Sequence, residues 1–166
     1  MKNGIKGLLM IVFIVLFFNC SKDEENNIPI EVVKTKYKIT SVTITQMPFL
    51  NSNGFLWDGI NGPDVFLALV INNSIVNYTS PLINISNADI PLPWNLTTPY
   101  QSSDFNSPVY IHVMDNDVND FPSTSNQTIG IVSFYMLEYT VGATKYPSTV
   151  TKTINGVTVK LNLTWE

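Results

Sequence analysis

The stretch Thr149-Val150-Thr151-Lys152-Thr153-Ile154-Asn155-Gly156-Val157-Thr158-Val159-Lys160-Leu161-Asn162-Leu163-Thr164-Trp165 decides the fold. Asn155-Gly156 is the preferred pair for a two-residue hairpin turn, because both positions need positive φ. Beyond the turn, Val157, Val159, Leu161, Leu163 and Trp165 alternate with Thr, Lys and Asn. A period of two sets alternate side chains on one face, so this strand buries one face and wets the other. Paired strands over Thr149–Ile154 and Val157–Trp165 follow.

Moving toward the N-terminus, the same grammar repeats. Short runs rich in Val, Ile, Thr, Tyr and Phe stand between clusters of Asn, Ser, Gly and Pro, with no sustained helical period. Further strands are predicted over Lys36–Met47, Val65–Ile71, Ile75–Thr79, Pro93–Thr97, Val109–Met114 and Ile129–Tyr135. Eight short strands with turn signals between them predict an all-β fold, a β-sandwich, over residues 30–166. No internal repeat is visible.

The first residues follow different rules. Lys2 and Lys6 precede an unbroken apolar run, Leu8 to Phe18, of eleven residues. A bilayer span needs about 20, whereas a signal-peptide core is this short. The run stops at Asn19-Cys20, and Ser21-Lys22-Asp23-Glu24-Glu25 follows. Cys20 is the only cysteine, which excludes a disulfide within the chain. A lone Cys at the end of a signal core resembles the lipobox of bacterial lipoproteins, where the thiol is acylated. Phe17 and Asn19 occupy positions where that motif usually has Leu and a small residue, a looseness found in Bacteroidetes-type lipoproteins. The Lys22-Asp23-Glu24-Glu25 run resembles their surface-export signal, and the same residues also make a solvated tether. The expected organisation is a signal peptide over 1–19, a lipidated Cys and tether over 20–29, then the sandwich. The expected address is the outer membrane, lipid-anchored and exposed on the cell surface.

Charge narrows the function. After Cys20 there are seven Lys, no Arg and all thirteen acidic residues. Nucleic-acid binding needs a positive footprint and is excluded. Between Thr40 and Thr144 there is no Lys or Arg, yet the stretch holds Asp58, Asp64, Asp89, Asp104, Asp115, Asp117, Asp120 and Glu138.

Two acidic clusters stand out, Trp57-Asp58-Gly59-Ile60-Asn61-Gly62-Pro63-Asp64 and Asp115-Asn116-Asp117-Val118-Asn119-Asp120. Each lies in turn-forming sequence beside a strand. Loops at one end of an antiparallel sandwich converge, and carboxylates gathered there repel. With no Lys or Arg nearby in sequence, a bound cation offsets the charge most economically. Asp, Asn and backbone carbonyl oxygens are hard ligands, which favours calcium. The competing account is a pair of solvated turns, since Asp and Asn favour turns on their own. An EF-hand does not fit. Asp115, Asp117 and Asn119 have the opening spacing, but the sixth position is Asp120 rather than Gly and the twelfth is Asn126 rather than Glu.

The order of these features resembles a C2 domain, over about Lys36 to Phe134. A strand, Ile39–Gln46, is followed by Asp58 and Asp64 six residues apart and directly by Val65-Phe66-Leu67. Pro93-Trp94-Asn95 is similar to the family's Pro-x-Trp-Asn corner. Val109–Met114 leads into Asp115-x-Asp117, then Asn126-x-x-Ile129-Gly130. The resemblance implies an eight-stranded antiparallel Greek-key β-sandwich, C2-like, with calcium bound by Asp58, Asp64, Asp115 and Asp117. Val65 stands where the family usually has Pro, and Gln127 where it has its last loop carboxylate. Either Asp120 replaces that ligand or the site is weaker. The family's basic lipid-binding patch would fall on strands that lack Lys and Arg, which argues against calcium-dependent attachment to anionic lipid.

Catalysis finds little support. His112, the only histidine, lies mid-strand with no nucleophile motif to accompany it. Beyond Cys20, six Asn-x-Ser/Thr sequons, at Asn72, Asn77, Asn84, Asn95, Asn126 and Asn162, read as polar surface after a bacterial signal. Trp94 and Trp165 suit a core. Trp57 and Phe55 sit in the acidic loop, where they suit contact with a partner. The expectation is a non-catalytic, calcium-binding interaction module. It is tethered to the membrane through Cys20 and binds a surface protein or a glycan; the alternative is a glycan-binding accessory lipoprotein with structural calcium.

Overall fold

A computed structural model of the chain describes residues 32–59, 61–117 and 125–166. The expected signal peptide, Cys20, the acidic tether and Asp120 lie outside the described residues.

Eight strands form: β1 (Tyr37–Gln46), β2 (Val65–Ile71), β3 (Ser74–Tyr78), β4 (Leu92–Ser102), β5 (Val109–Asp115), β6 (Gln127–Phe134), β7 (Thr149–Ile154) and β8 (Val157–Trp165). They pair antiparallel into two four-stranded sheets, ordered β4-β1-β8-β7 and β3-β2-β5-β6. The chain changes sheet at the β1–β2, β3–β4, β4–β5 and β6–β7 connections, which makes the Greek-key sandwich expected from the sequence. Two short 3₁₀ turns, Asn87–Asp89 and Met136–Tyr139, complete the described structure.

Local chemistry explains the hairpins. Asn155 and Gly156 both have positive φ, 48° and 80°, as a type I′ turn requires. Asn72 and Asn73, at 49° and 61°, turn β2 into β3 in the same way. Along β8, Val157, Val159, Leu161 and Leu163 are all buried, so the alternation seen in the sequence is the inner face of the sandwich. Facing them across the sandwich are Leu67 and Leu69 of β2, Val109, Ile111 and Val113 of β5, and Val132 and Phe134 of β6. Each fully buried aliphatic side chain stabilises the fold by about 1.5–3 kcal/mol.

One strand runs further than its sequence suggests. β4 continues through Pro99 to Ser102. Its partners along β1 jump from Tyr100 opposite Ile39 to Asn95 opposite Ser41. Pro99 therefore sits in an interruption of the ladder, on an edge strand, where the missing N–H is tolerated.

Two loops are brought together by register. β2 starts where β5 ends, with Val65 opposite Asp115. The end of the β1–β2 loop and the start of the β5–β6 loop thus meet at one end of the second sheet. The β3–β4 connection joins them, because Leu82 and Val65 exchange backbone hydrogen bonds of 2.7 and 2.8 Å.

Candidate metal centre

Asp115 closes β5, and strand alternation turns it to the buried side along with Val109, Ile111 and Val113. Asp117 follows two residues later and is also buried. The β1–β2 loop supplies Asp58, which is half-buried. One carboxylate oxygen from each of Asp58, Asp115 and Asp117 lies within 4.8 Å of the others. Calcium ligands sit about 2.3–2.6 Å from the ion, so oxygens sharing one ion lie up to about 5 Å apart. The spacing fits a common cation.

Hydrogen bonding separates Asp115 and Asp117 from Asp89 and Asp104. Asp104 accepts from the Asn106 and Ser107 backbone at 2.9 and 3.1 Å, and Asp89 accepts from Ser86 N–H at 2.9 Å. Both are exposed turn formers, and hydrogen bonds from the Ser86 and Ser107 hydroxyls, together with these backbone bonds, hold their carboxyls below the usual range. Asp115 is the reverse. Its pKa is pushed up to about 6, chiefly by burial. The Asp64 backbone N–H opposes this, the negative charges of Asp117 and Asp64 add to it, and a side-chain hydrogen bond with Asp58 lowers it. Asp115 Oδ2 and Asp117 Oδ2 are buried and have no hydrogen-bond partner among the described residues. Leaving an acceptor buried and unpaired costs about 1–3 kcal/mol, more for a charged one. A bound cation would remove this penalty, as would protonation of Asp115.

Asp64 is placed differently from its three companions. Its Oδ1 accepts the Asn84 N–H at 2.7 Å, and Asn84 Oδ1 in turn accepts the Gly62 N–H at 2.9 Å. Its backbone N–H donates to Asp115 Oδ1 at 2.7 Å, and its carbonyl accepts from Asn116 at 2.9 Å. Asp64 is not in the group of three carboxylates; it clasps the β1–β2 loop to the β3–β4 connection and to Asp115. Gln127 lies directly opposite Asp115 on β6, so no carboxylate enters the cluster from that strand position. Asn84, at φ 53°, is a structural residue that local sequence reading missed, because its partners lie about twenty residues away.

The two aromatic residues of the acidic loop part company. Phe55 is 68% exposed. Trp57 packs against the core, and its indole N–H donates to Pro48 O at 3.0 Å. Trp94 and Trp165 also pack against the core. His112 is half-buried beside Tyr110, and burial lowers its pKa.

No protein-family model and no curated protein matches the sequence. Solved structures do match. One described as the structure of a C2 domain aligns with a TM-score of 0.47 at 12% identity, over 79% of this chain and 97% of that one. Human GIVD cytosolic phospholipase A2, in complex with methyl gamma-linolenyl fluorophosphonate inhibitor and terbium chloride, aligns with a TM-score of 0.51 at 13% identity. The match covers 80% of this chain and 18% of the phospholipase. A further human GIVD cytosolic phospholipase A2 structure gives 0.51 at 14% identity, over 82% and 17%. The chain thus spans less than a fifth of the phospholipases it matches, and the likeness is one of fold.

Proposed function

We propose that this protein is a surface-exposed, lipid-anchored, C2-like interaction module that binds calcium and performs no catalysis. The observation that carries the reading is the pair of buried carboxylate oxygens, Asp115 Oδ2 and Asp117 Oδ2, without hydrogen-bond partners among the described residues. With Asp58 within reach, they form an all-oxygen donor set, which suits a hard cation. Asp115 and Asp117 supply buried carboxylates, Asp58 closes the site from the β1–β2 loop, and Asp64 holds Asp115 in orientation. Asp120 is the further acidic residue of the same loop. The cation neutralises the cluster and ties the β1–β2 loop to the end of β5.

The lipid anchor rests on the sequence alone: Cys20 after an eleven-residue apolar run, then an acidic stretch. Acylation there places the sandwich beside the membrane on a short tether.

Calorimetric titration of the metal-stripped protein with calcium tests the reading. One saturable site, weakened in Asp117→Asn, is the expected result. No heat of binding at millimolar calcium would overturn it.

A further inference from the structure

Beside the carboxylate cluster lies an open groove of about 550 Å³, within the range of small-ligand sites. One wall is the segment Asn51-Ser52-Asn53 with Trp57, and the other is Gln127-Thr128 at the start of β6. No residue lining it among those described is charged. We propose that this groove binds a neutral saccharide.

Three features select that ligand. First, the indole of Trp57 is fixed, with its N–H committed to Pro48 O and its body against the core. A fixed aromatic plate suits the apolar C–H face of a pyranose ring at small entropic cost. Second, the polar lining consists of amides and hydroxyls. These offer donors and acceptors together, as sugar hydroxyls do, whereas the described lining residues offer an anionic ligand no counter-charge. Third, the wall is built before the ligand arrives. Asn51 Oδ1 accepts the N–H groups of Asn53 and Phe55 at 3.0 and 3.3 Å. The Asn51 and Phe55 backbones are joined at 2.8 Å, and Gly54, at φ 81°, turns the chain between them. A wall held by its own hydrogen bonds does not have to be ordered on binding. No lining residue is one of the three clustered carboxylates.

Equilibrium binding to the full-length chain, kept in a detergent without a sugar headgroup, tests the proposal. The probes are maltohexaose, cellohexaose, mannohexaose, xylohexaose and, as the charged control, oligogalacturonate. Tryptophan emission and calorimetry provide the readouts, with calcium and with chelator. At least one neutral probe should bind and alter the emission. Trp57→Ala should lose about tenfold or more in affinity, the equivalent of one good contact. Because Trp57 also packs on the core, two milder variants accompany it. Trp57→Phe should retain weaker binding with a smaller emission change, and Gln127→Ala should weaken binding several-fold, about one hydrogen bond, at an unchanged melting temperature. Failure of every neutral probe at about 10 mM, far weaker than a functional site, would overturn the proposal. So would binding of the charged control alone, or neutral binding that Trp57→Phe and Gln127→Ala leave untouched. The last pattern would place the ligand elsewhere, for example along the β6 edge, as a peptide strand would dock.

Discussion

The backbone N–H of Asp64 donates to Asp115 Oδ1 at 2.7 Å. This bond joins the last residue of the β1–β2 loop to the last residue of β5 and occupies one oxygen of the Asp115 carboxylate. The other, Oδ2, is left buried without a hydrogen-bond partner among the described residues. A strand-end contact therefore sets the orientation of a candidate ligand, and the two halves of the site are fixed by the fold. The same bond survives replacement of Asp115 by Asn, whose amide oxygen accepts equally well. Charge can thus be removed here without removing the clasp.

The raised pKa of Asp115 predicts an unusual pH response of the metal-free protein. Its folded pKa, about 6, lies above the ordinary carboxyl value. Above pH 6 the group is ionised in both states, and the folded state bears an electrostatic penalty. As pH falls through 6, the folded state takes up a proton before the unfolded state does, and the penalty fades toward pH 4. Asp89, Asp104 and Glu166 have lowered pKa values, so they act in the opposite sense. Comparison with Asp115→Asn isolates the effect. In chelator, the variant should unfold at higher denaturant than the parent at pH 7, and the gap should narrow as pH falls below 6 and close only below about pH 4. A gap independent of pH would mean that Asp115 does not titrate as described.

Gly62 is required by the clasp between the β1–β2 loop and the β3–β4 connection. A Cβ there would lie 2.0 Å from the backbone oxygen of Ile85. Backbone cannot yield as a side-chain tip can. Gly62→Ala should destabilise the domain by about 1–3 kcal/mol, read by chemical denaturation, and should weaken calcium binding by displacing the loop that carries Asp58. Gly59→Ala separates loop strain from close contact, since its Cβ meets nothing within 4 Å and only its φ of 75° is unfavourable.

Leu161 tests the core that holds the sheets together. It is fully buried on β8 and pairs with Val42 and Val150. Leu161→Ala should cost about 2–5 kcal/mol, while Thr164→Ala, on the exposed side of the same strand, should fall within about 0.5 kcal/mol. Equal effects at the two positions would contradict the inward and outward alternation.

Membrane attachment through Cys20 is tested by Cys20→Ala. The variant should lose lipid labelling and leave the membrane fraction. A variant that stays membrane-bound would identify the apolar run Leu8 to Phe18 as an anchor instead.

The strands were legible because their signals are local. The alternation in β8 and the Asn155-Gly156 turn each lie within a few residues, and the bounds of β2, β7 and β8 match those read from the sequence. Asp58, Asp115 and Asp117 were legible as a cluster because antiparallel topology carries loops to a shared end. The diversion of Asp64 was not, since it depends on Asn84 in a connection that only the folded chain brings near. Nor was the continuation of β4 past Pro99, which depends on its being an edge strand interrupted at that point. Trp57 combined both cases: its place beside the acidic loop was visible, but its bond to Pro48 O was not.

The central claim is that the cluster of Asp58, Asp115 and Asp117 is a calcium site, and melting temperature with and without calcium tests it most directly when parent and Asp115→Asn are compared. A ligand that binds the folded state alone adds about 2.7 kcal/mol at 100 times its dissociation constant. Calcium should therefore raise the melting temperature of the parent, and Asp115→Asn should respond little. In chelator the order should reverse, with Asp115→Asn the more stable, because one charge has been removed from a repulsive, buried cluster. A parent indifferent to millimolar calcium, together with an Asp115→Asn variant that melts at the same temperature in both conditions, would contradict the account.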